Sequence, residues 1–337
     1  MNAARKIDRI GRALARLAVH ESDCRLCPRE CGVNREAGEV GFCGGGRDAA
    51  VSHSLLHYGE EPVLSGPADD GAASSRPTGR YGSGTIFFSG CSLKCRFCQN
   101  YQLSWLGHGR EVGVAELAAV MLALQDKGAL NINLVSPTHY LLAVLRALRI
   151  ALDRGLFLPV VANSSGYEKA SIVAHLEGIV DVYLPDLKYA SADLAARYSG
   201  AADYFQHAGE AIREMFFQRP LLLLDGAGAA EQGLIIRHLV LPGRVENSLA
   251  VLDWVGRELG TSVALSLMSQ YHPCFEAPPE LQRSVTPAEY DRVLARAYEI
   301  GFEHLFIQPL ALGTDDHLMP DFDLAEPFDW GDKRKTD

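Results

Sequence analysis

The stretch GTIFFSGCSLKCRFCQN, residues 84–100, joins a short apolar run to three closely spaced cysteines. The apolar run at 85–90 is typical of a buried β-strand, and Cys91, Cys95 and Cys98 follow it at once. Thiolates are soft ligands that favour zinc and iron–sulfur clusters. A structural zinc site is closed by four ligands, whereas three thiolates on a [4Fe–4S] cubane leave one iron open to a small molecule. The stretch therefore predicts a cluster with a vacant iron position. The alternative is a zinc site completed by a distant His or Cys.

Apolar runs and amphipathic segments alternate along the chain after residue 84. Candidate strands lie at 85–90, 131–136, 158–163, 180–187, 235–241, 263–270 and 304–309, and helical patterns lie near 114–127, 139–154, 168–177, 203–217, 246–259 and 286–301. This alternation indicates parallel βαβ units, and six or seven of them predict an α/β fold with a partial (β/α)6 TIM-type barrel. A doubly wound sheet is the alternative. Polar residues follow most of the strands, and the strand ends of a parallel barrel share the face on which active sites are built.

The bulk composition argues against several classes of function. The 337 residues carry 32 Lys and Arg against 42 Asp and Glu, and this net charge of −10 disfavours nucleic-acid binding, which depends on neutralising phosphates. No apolar run is long enough to predict a membrane-spanning helix, and the N-terminus lacks the apolar core of a secretory signal. We therefore expect a cytoplasmic protein with no membrane partner. In that compartment its eight cysteines stay reduced, and clustered cysteines then suggest metal binding.

A second set of cysteines lies near the N-terminus, in the stretch CRLCPRECGVNREAGEVGFC. Cys24, Cys27, Cys31 and Cys43 are enough to close a site, and both zinc and an auxiliary [4Fe–4S] cluster fit. Apolar residues at helical spacing predict a short amphipathic helix before them. The chain thus divides into a helix and metal-binding module at 1–50, a linker and flexible loop at 51–83, the barrel at 84–312 and a tail at 313–337.

The spacing C-x3-C-x2-C, with Phe97 just before the last cysteine, resembles the radical S-adenosylmethionine (radical SAM) superfamily. Within it, GSGTIFFSGCSLKCRFCQNYQLS is similar to the group akin to pyruvate formate-lyase activating enzyme, often called PflX-like. The later segments NLVSPTHY, DVYLPDLKY, IIRHLVLPG, SLMSQY and MPDFD resemble the same group, and the likeness spans about residues 20–325. Residues 67–80 look like an insertion relative to that pattern.

The resemblance implies an enzyme whose open iron binds S-adenosylmethionine and cleaves it to a 5′-deoxyadenosyl radical that abstracts hydrogen. It implies flavodoxin or ferredoxin as the electron donor and a glycyl-radical enzyme as a protein substrate. One alternative is radical modification of a small molecule or peptide, and another is a non-catalytic iron–sulfur or metal scaffold.

The resemblance also implies where the S-adenosylmethionine contacts lie. Asp186 and Lys188 form the Asp-x-Lys of the activating enzymes, and their alternative interpretation is a surface ion pair. Asn163 ends the third strand as part of a polar wall or as a helix N-cap. Ser136 and Thr138 occupy the place where many radical enzymes have a Gly-Gly-Glu loop that meets the methionine amine, but the glycines are missing here.

Phe97 and His238 complete the predicted cofactor contacts. Arg237 and His238 are neighbours in a strand, so they face opposite sides and at most one of them points into the barrel. Gly90 is expected to allow a close backbone approach to the cluster. Cys274 stands alone in the sequence and is expected to be an apolar filler.

Overall fold

A computed structural model describes residues 3–66, 81–310 and 319–328. The predicted insertion at 67–80 and most of the predicted tail lie outside the described residues. The part of the chain that is described contains ten strands: β1 (Ala49–His57), β2 (Ser83–Phe88), β3 (Arg110–Val112), β4 (Ile132–Val135), β5 (Val160–Ser164), β6 (Val182–Pro185), β7 (Leu223–Leu224), β8 (Ala230–Leu239), β9 (Ala264–Met268) and β10 (His304–Ile307).

Ten α-helices lie in the same described ranges: α1 (Ala3–Leu17), α2 (Pro62–Ser65), α3 (Tyr101–Ser104), α4 (Val114–Asp126), α5 (Leu141–Asp153), α6 (Ala170–Val173), α7 (Ala192–Ser199), α8 (Tyr204–Gln218), α9 (Val245–Leu259) and α10 (Pro287–Ile300). Local sequence explains several of their ends. Thr286 and Glu289 form a capping box at the start of α10, with Pro287 in its first turn. Ser191 caps the start of α7, and Gly200 ends that helix in the left-handed conformation. Helices of this length derive most of their stability from packing an apolar face.

The strand order distinguishes the two predicted architectures. The path through the sheet is β10-β9-β8-β6-β5-β4-β2-β1-β3, and the seven strands from β2 to β10 on this path pair in parallel. Those strands follow one another in chain order, whereas the order in a doubly wound sheet reverses at a switch point. The α/β prediction with a mostly parallel, barrel-type sheet is therefore confirmed, with seven parallel strands in place of six.

The two faces of the sheet are covered differently. Two large apolar clusters join outward side chains such as Tyr183 and Ile86 to the helices. The inner face has a small cluster that includes Val182, Ile235 and Leu64. Leu64 lies on α2, and the Asn131 amide donates to its carbonyl at 2.8 Å. Helices on one face and a short plug on the other are the layers of a barrel-type fold.

The structure places β1 in a segment that the sequence interpretation assigned to a linker. β1 pairs antiparallel with β2, with Val51 opposite Phe88 and His57 opposite Ser83. Its sequence, AAVSHSLLH, does not alternate strictly between apolar and polar residues, and only Ala49 and Val51 of the strand are buried. Residues 51–57 therefore belong to the sheet.

Candidate active site

Cys91, Cys95 and Cys98 lie in the loop between β2 and α3, at the carboxyl end of β2. These three cysteines are called the tripod below. Backbone N–H groups of Leu93 and Lys94 point at Cys91 Sγ, at 3.4 and 3.5 Å. The Ser199 hydroxyl donates to Cys95 Sγ at 3.1 Å, and this bond ties the loop to the end of α7. Donors aimed at sulfur are the arrangement that stabilises anionic thiolates and tunes the potential of an iron–sulfur cluster.

The thiols are costly to ionise without a metal. Burial raises the pKa of Cys91, and it raises the pKa of Cys98 to about 12, although the nearby Lys188 ammonium acts in the opposite direction. Bound iron would supply the positive charge that such buried thiolates require. In the described ranges, no three His, Cys, Asp or Glu side chains converge on a single-ion site. A cubane would not need such convergence, because each cysteine would bind a different iron atom.

Asp186 and Lys188 follow β6 and form a buried ion pair. Lys188 Nζ lies 2.6 Å from Asp186 Oδ2, and both side chains are at most 20 % exposed. Burial alone would lower the pKa of Lys188, but Asp186 and the Cys95 thiolate outweigh it and raise that pKa. The Tyr204 hydroxyl donates to the Asp186 carbonyl at 2.8 Å and accepts from the Lys188 N–H at 3.0 Å. These bonds hold a permanent cation beside the tripod.

A narrow gap separates Cys91 from the ends of β4 and β5. Its lining is mostly polar and consists of Cys91, Ser92, Ser136, Thr138, His139, Ser165 and Glu168. Ser136 has a φ of +58°, the left-handed conformation that glycine adopts most readily. The backbone at the predicted Gly-Gly-Glu position therefore turns as a glycine would, even though the sequence there is SPTH.

Glu168 is the residue of this gap that the sequence interpretation missed. It is buried, and Thr138 Oγ1 donates to its Oε1 at 2.6 Å. Burial raises the pKa of Glu168 to about 7, and the Thr138 hydroxyl offsets only part of this effect. Among the described residues, no Lys, Arg or His forms an ion pair with it. A buried carboxylate in that situation is suited to accept an ammonium group. No local motif marks Glu168, because it comes from the loop after β5 and reaches Thr138 only in the folded chain.

Two of the predicted cofactor contacts, His238 and Phe97, do not line this gap. His238 is fully buried on the outer face of β8, where Nδ1 contacts the Leu187 carbonyl at 2.6 Å and Nε2 contacts Ser248 Oγ at 2.8 Å. Both ring nitrogens are thus occupied, which does not support a cofactor contact. The ring of Phe97 packs edge-on against Tyr198 and Tyr271 inside the core and supports the loop from below.

The inward neighbour of His238 is Arg237, whose guanidinium pairs with Glu60 and Glu61 from the segment before α2. Arg237 also forms a backbone bridge to Asp186. Asn163 lies on the inner face of β5 and is 9 % exposed, which agrees with the predicted polar wall. The inner wall therefore carries polar and charged side chains at the ends of β5 and β8.

The N-terminal cysteines pack directly on the tripod loop. The Cys43 carbonyl accepts a hydrogen bond from the Cys91 N–H at 3.0 Å. Buried Arg35 donates to Cys43 Sγ at 3.3 Å and to the His139 carbonyl at 2.9 Å. Burial raises the pKa of Cys27 to about 12, and the nearby carboxylate and thiolates add to that effect. The two cysteine sets are thus joined directly through the backbone bond between Cys43 and Cys91.

Comparisons with known proteins give three findings. Residues 85–219 match the model of the radical SAM superfamily. An uncharacterized protein of Methanocaldococcus jannaschii is 31% identical over 296 residues, which are 84% of this chain and 77% of that relative. The crystal structure of Streptococcus suis SuiB bound to its precursor peptide SuiA superposes with a TM-score of 0.44 and 13% identity. That superposition covers 66% of this chain and 47%, about half, of SuiB.

Proposed function

Because the chain belongs to the radical SAM superfamily and is therefore an enzyme, we propose that Cys91, Cys95 and Cys98 hold its catalytic [4Fe–4S] cluster. The family implies this cluster and S-adenosylmethionine as cofactors. The observation that supports the assignment is the loop geometry: three cysteines at the end of β2, with N–H and hydroxyl donors aimed at Cys91 and Cys95. Because the chain belongs to an enzyme family, the alternative of a non-catalytic scaffold no longer applies.

When bound, the cluster and S-adenosylmethionine supply reductive cleavage of the sulfonium and a 5′-deoxyadenosyl radical that abstracts hydrogen. The chain's own residues bind and orient S-adenosylmethionine. Lys188 provides a permanent positive charge for the methionine carboxylate, and Asp186 fixes the position of that ammonium group. Glu168 provides the carboxylate for the methionine amine, with Thr138 holding it in place. Ser136 and Asn163 add polar groups at the ends of β4 and β5.

For the substrate, we propose the activating-enzyme type of reaction, in which a partner protein receives a glycyl radical. The Asp186–Lys188 pair and the segments that resemble the PflX-like group support this proposal. Electron paramagnetic resonance on anaerobic mixtures with glycyl-radical enzymes is the test, and a doublet from the partner is expected. If no partner gives a doublet while deuterium from a peptide or small-molecule pool enters 5′-deoxyadenosine, the alternative substrate class replaces this one.

We also propose that Cys24, Cys27, Cys31 and Cys43 bind a second metal centre in the module at 1–50. Cys24, Cys27 and Cys43 are buried, and the Arg35 guanidinium next to Cys43 and Cys24 offsets thiolate charge. Elemental analysis of Cys24→Ala against Cys91→Ala distinguishes zinc from iron at this position. Loss of zinc in Cys24→Ala alone indicates a zinc site, and loss of about four irons indicates an auxiliary cluster. Unchanged zinc and iron would refute the second centre.

The proposed catalytic function has a direct test. Anaerobically reconstituted protein, reduced with dithionite in the presence of S-adenosylmethionine, is expected to form 5′-deoxyadenosine. Cys91→Ala should abolish this product, and Cys274→Ala is the matched control, because Cys274 is a half-buried cysteine that belongs neither to the tripod nor to the N-terminal set. Equal product from wild type and Cys91→Ala would contradict the assignment.

No helix in the described part of the chain is both long and apolar enough to cross a bilayer.

A further inference from the structure

An exposed aromatic patch lies on the outer side of the tripod loop. It consists of Phe42, Trp105, Leu106 and Phe275, of which Phe42, Leu106 and Phe275 are 43%, 55% and 39% exposed. The Phe275 ring stacks on Tyr101 at 5.0 Å and tilts against Trp105 at 5.4 Å. Grouped large apolar side chains of this kind mark an interaction surface more often than a bare protein exterior.

The patch is physically joined to the cluster ligands. The Trp105 indole N–H donates to the Cys95 carbonyl at 2.9 Å. The Phe275 loop reaches the same region, because the Glu276 N–H donates to the Arg96 carbonyl at 3.1 Å and Cys274 Sγ contacts the Phe97 carbonyl at 3.4 Å. A bonded route of one indole and one carbonyl therefore connects the surface to a proposed ligand of iron.

Lys94, Arg29 and Arg96 lie beside the patch and form what is called its cationic rim. The Lys94 ammonium lies between two of its rings, 5.4 Å from the Phe42 centroid and 5.6 Å from that of Trp105. The Arg29 guanidinium lies 4.0 Å over Phe42. Arg96 is nearby and has a loose ion pair with Glu276 at 3.8 Å. The chain as a whole carries a net charge of −10, so this cationic rim differs from the overall charge of the protein.

The backbone also holds these side chains outward at a cost. Lys94 has a φ of +54° and Phe275 a φ of +52°, both in the left-handed region that is unfavourable for residues other than glycine. Strained residues of this kind cluster at functional sites. Neither residue gains burial in exchange, since Phe275 stays exposed and Lys94 half-buried.

We propose that this aromatic patch is the docking surface for an acidic one-electron carrier protein that reduces the cluster. This inference rests on the proposed function, because radical SAM catalysis consumes one electron for each cleavage. An acidic partner complements the cationic rim, and the aromatic rings supply the desolvated centre of a small, transient interface. The partner's cofactor would then face the Trp105–Cys95 route. One electron leaves the reduced carrier, which becomes oxidised by one electron, and the cluster is reduced by one.

The test compares two reductants on the same reconstituted enzyme. The variants Phe42→Glu and Leu106→Glu place a carboxylate in the patch, and Phe157→Glu is the matched control, 61% exposed and located before β5, at the opposite end of the strands. With an acidic flavodoxin as reductant, we expect the rate of 5′-deoxyadenosine formation to fall at least 10-fold in both patch variants and less than twofold in the control. With dithionite, all four proteins should agree within twofold.

The wild type provides a second measurement that needs no variant. If charge attraction guides the carrier, its rate should fall as salt rises, while the dithionite rate stays level. Patch variants that lose no more activity with flavodoxin than Phe157→Glu overturn the docking surface, and so does a salt-independent rate. Both results leave the proposed function intact if dithionite still drives cleavage. No 5′-deoxyadenosine from the wild type with dithionite refutes the proposed function, and the docking surface with it.

Discussion

Replacing Glu168 with Gln should weaken S-adenosylmethionine binding about 5- to 70-fold. A hydrogen bond between a carboxylate and an ammonium group contributes about 1.5–3 kcal/mol. With a pKa of about 7, Glu168 is half ionised at pH 7, and shifting it fully to the carboxylate costs about 0.4 kcal/mol. The remaining loss of about 1–2.5 kcal/mol corresponds to the stated range of affinity. Gln keeps the shape of the side chain and can still accept from Thr138, so the fold should be retained.

Binding should be measured by equilibrium dialysis with two ligands, S-adenosylmethionine and an analogue that lacks the amino group. In the wild type the analogue should bind more weakly than S-adenosylmethionine. In Glu168→Gln the two should bind almost equally, because the variant lacks the charge that distinguishes them. Glu177→Gln is the control, since this carboxylate is 59% exposed. If Glu168→Gln binds both ligands as the wild type does, the carboxylate does not meet the amine.

Three further predictions concern the tripod and its surroundings. Ser199→Ala removes the hydroxyl that donates to Cys95 Sγ, and a lost bond of about 1 kcal/mol should make the cluster potential up to about 40 mV more negative in an anaerobic redox titration. An unchanged potential would show that the hydroxyl does not act on the cluster. Burial lowers the pKa of His238 to about 4, so the unfolded state takes up the proton first as pH falls below 6.5. When the metal-free protein is denatured at pH 8 and at pH 5, the free energy of unfolding should therefore fall by about 2 kcal/mol more in the wild type than in His238→Asn. Equal losses in the two proteins would contradict this prediction. Gly90→Ala places a Cβ 2.4 Å from the Cys43 carbonyl, whereas Gly44→Ala has the same φ of +82° and meets nothing within 4 Å. Gly90→Ala should thus lose more stability and more cluster iron than Gly44→Ala, and equal effects would argue against the close approach.

The parts of this protein that follow from local chemistry could be predicted from the sequence. Seven apolar runs after residue 84 became the seven parallel strands, because alternating short apolar and longer amphipathic segments have few ways to pack. β1 was assigned to a linker, since its small polar residues weaken the alternating pattern and its partner β2 lies more than 25 residues further on. Long-range pairing of this kind leaves no signal in a local window.

The candidate site divides in the same way. The sequence by itself predicted the tripod, because a cluster loop would need its cysteines at short spacing within one stretch of chain. The resemblance to the activating enzymes predicted Asp186 and Lys188, which the structure places 2.6 Å apart as an ion pair. The tertiary structure alone decided that His238 faces outward, that Glu168 joins Thr138 and that Cys43 bonds to the Cys91 backbone. Those relations depend on strand alternation and on loops from distant parts of the chain meeting at one end of the barrel. Such meetings are fixed by packing and burial, which no local stretch of residues encodes.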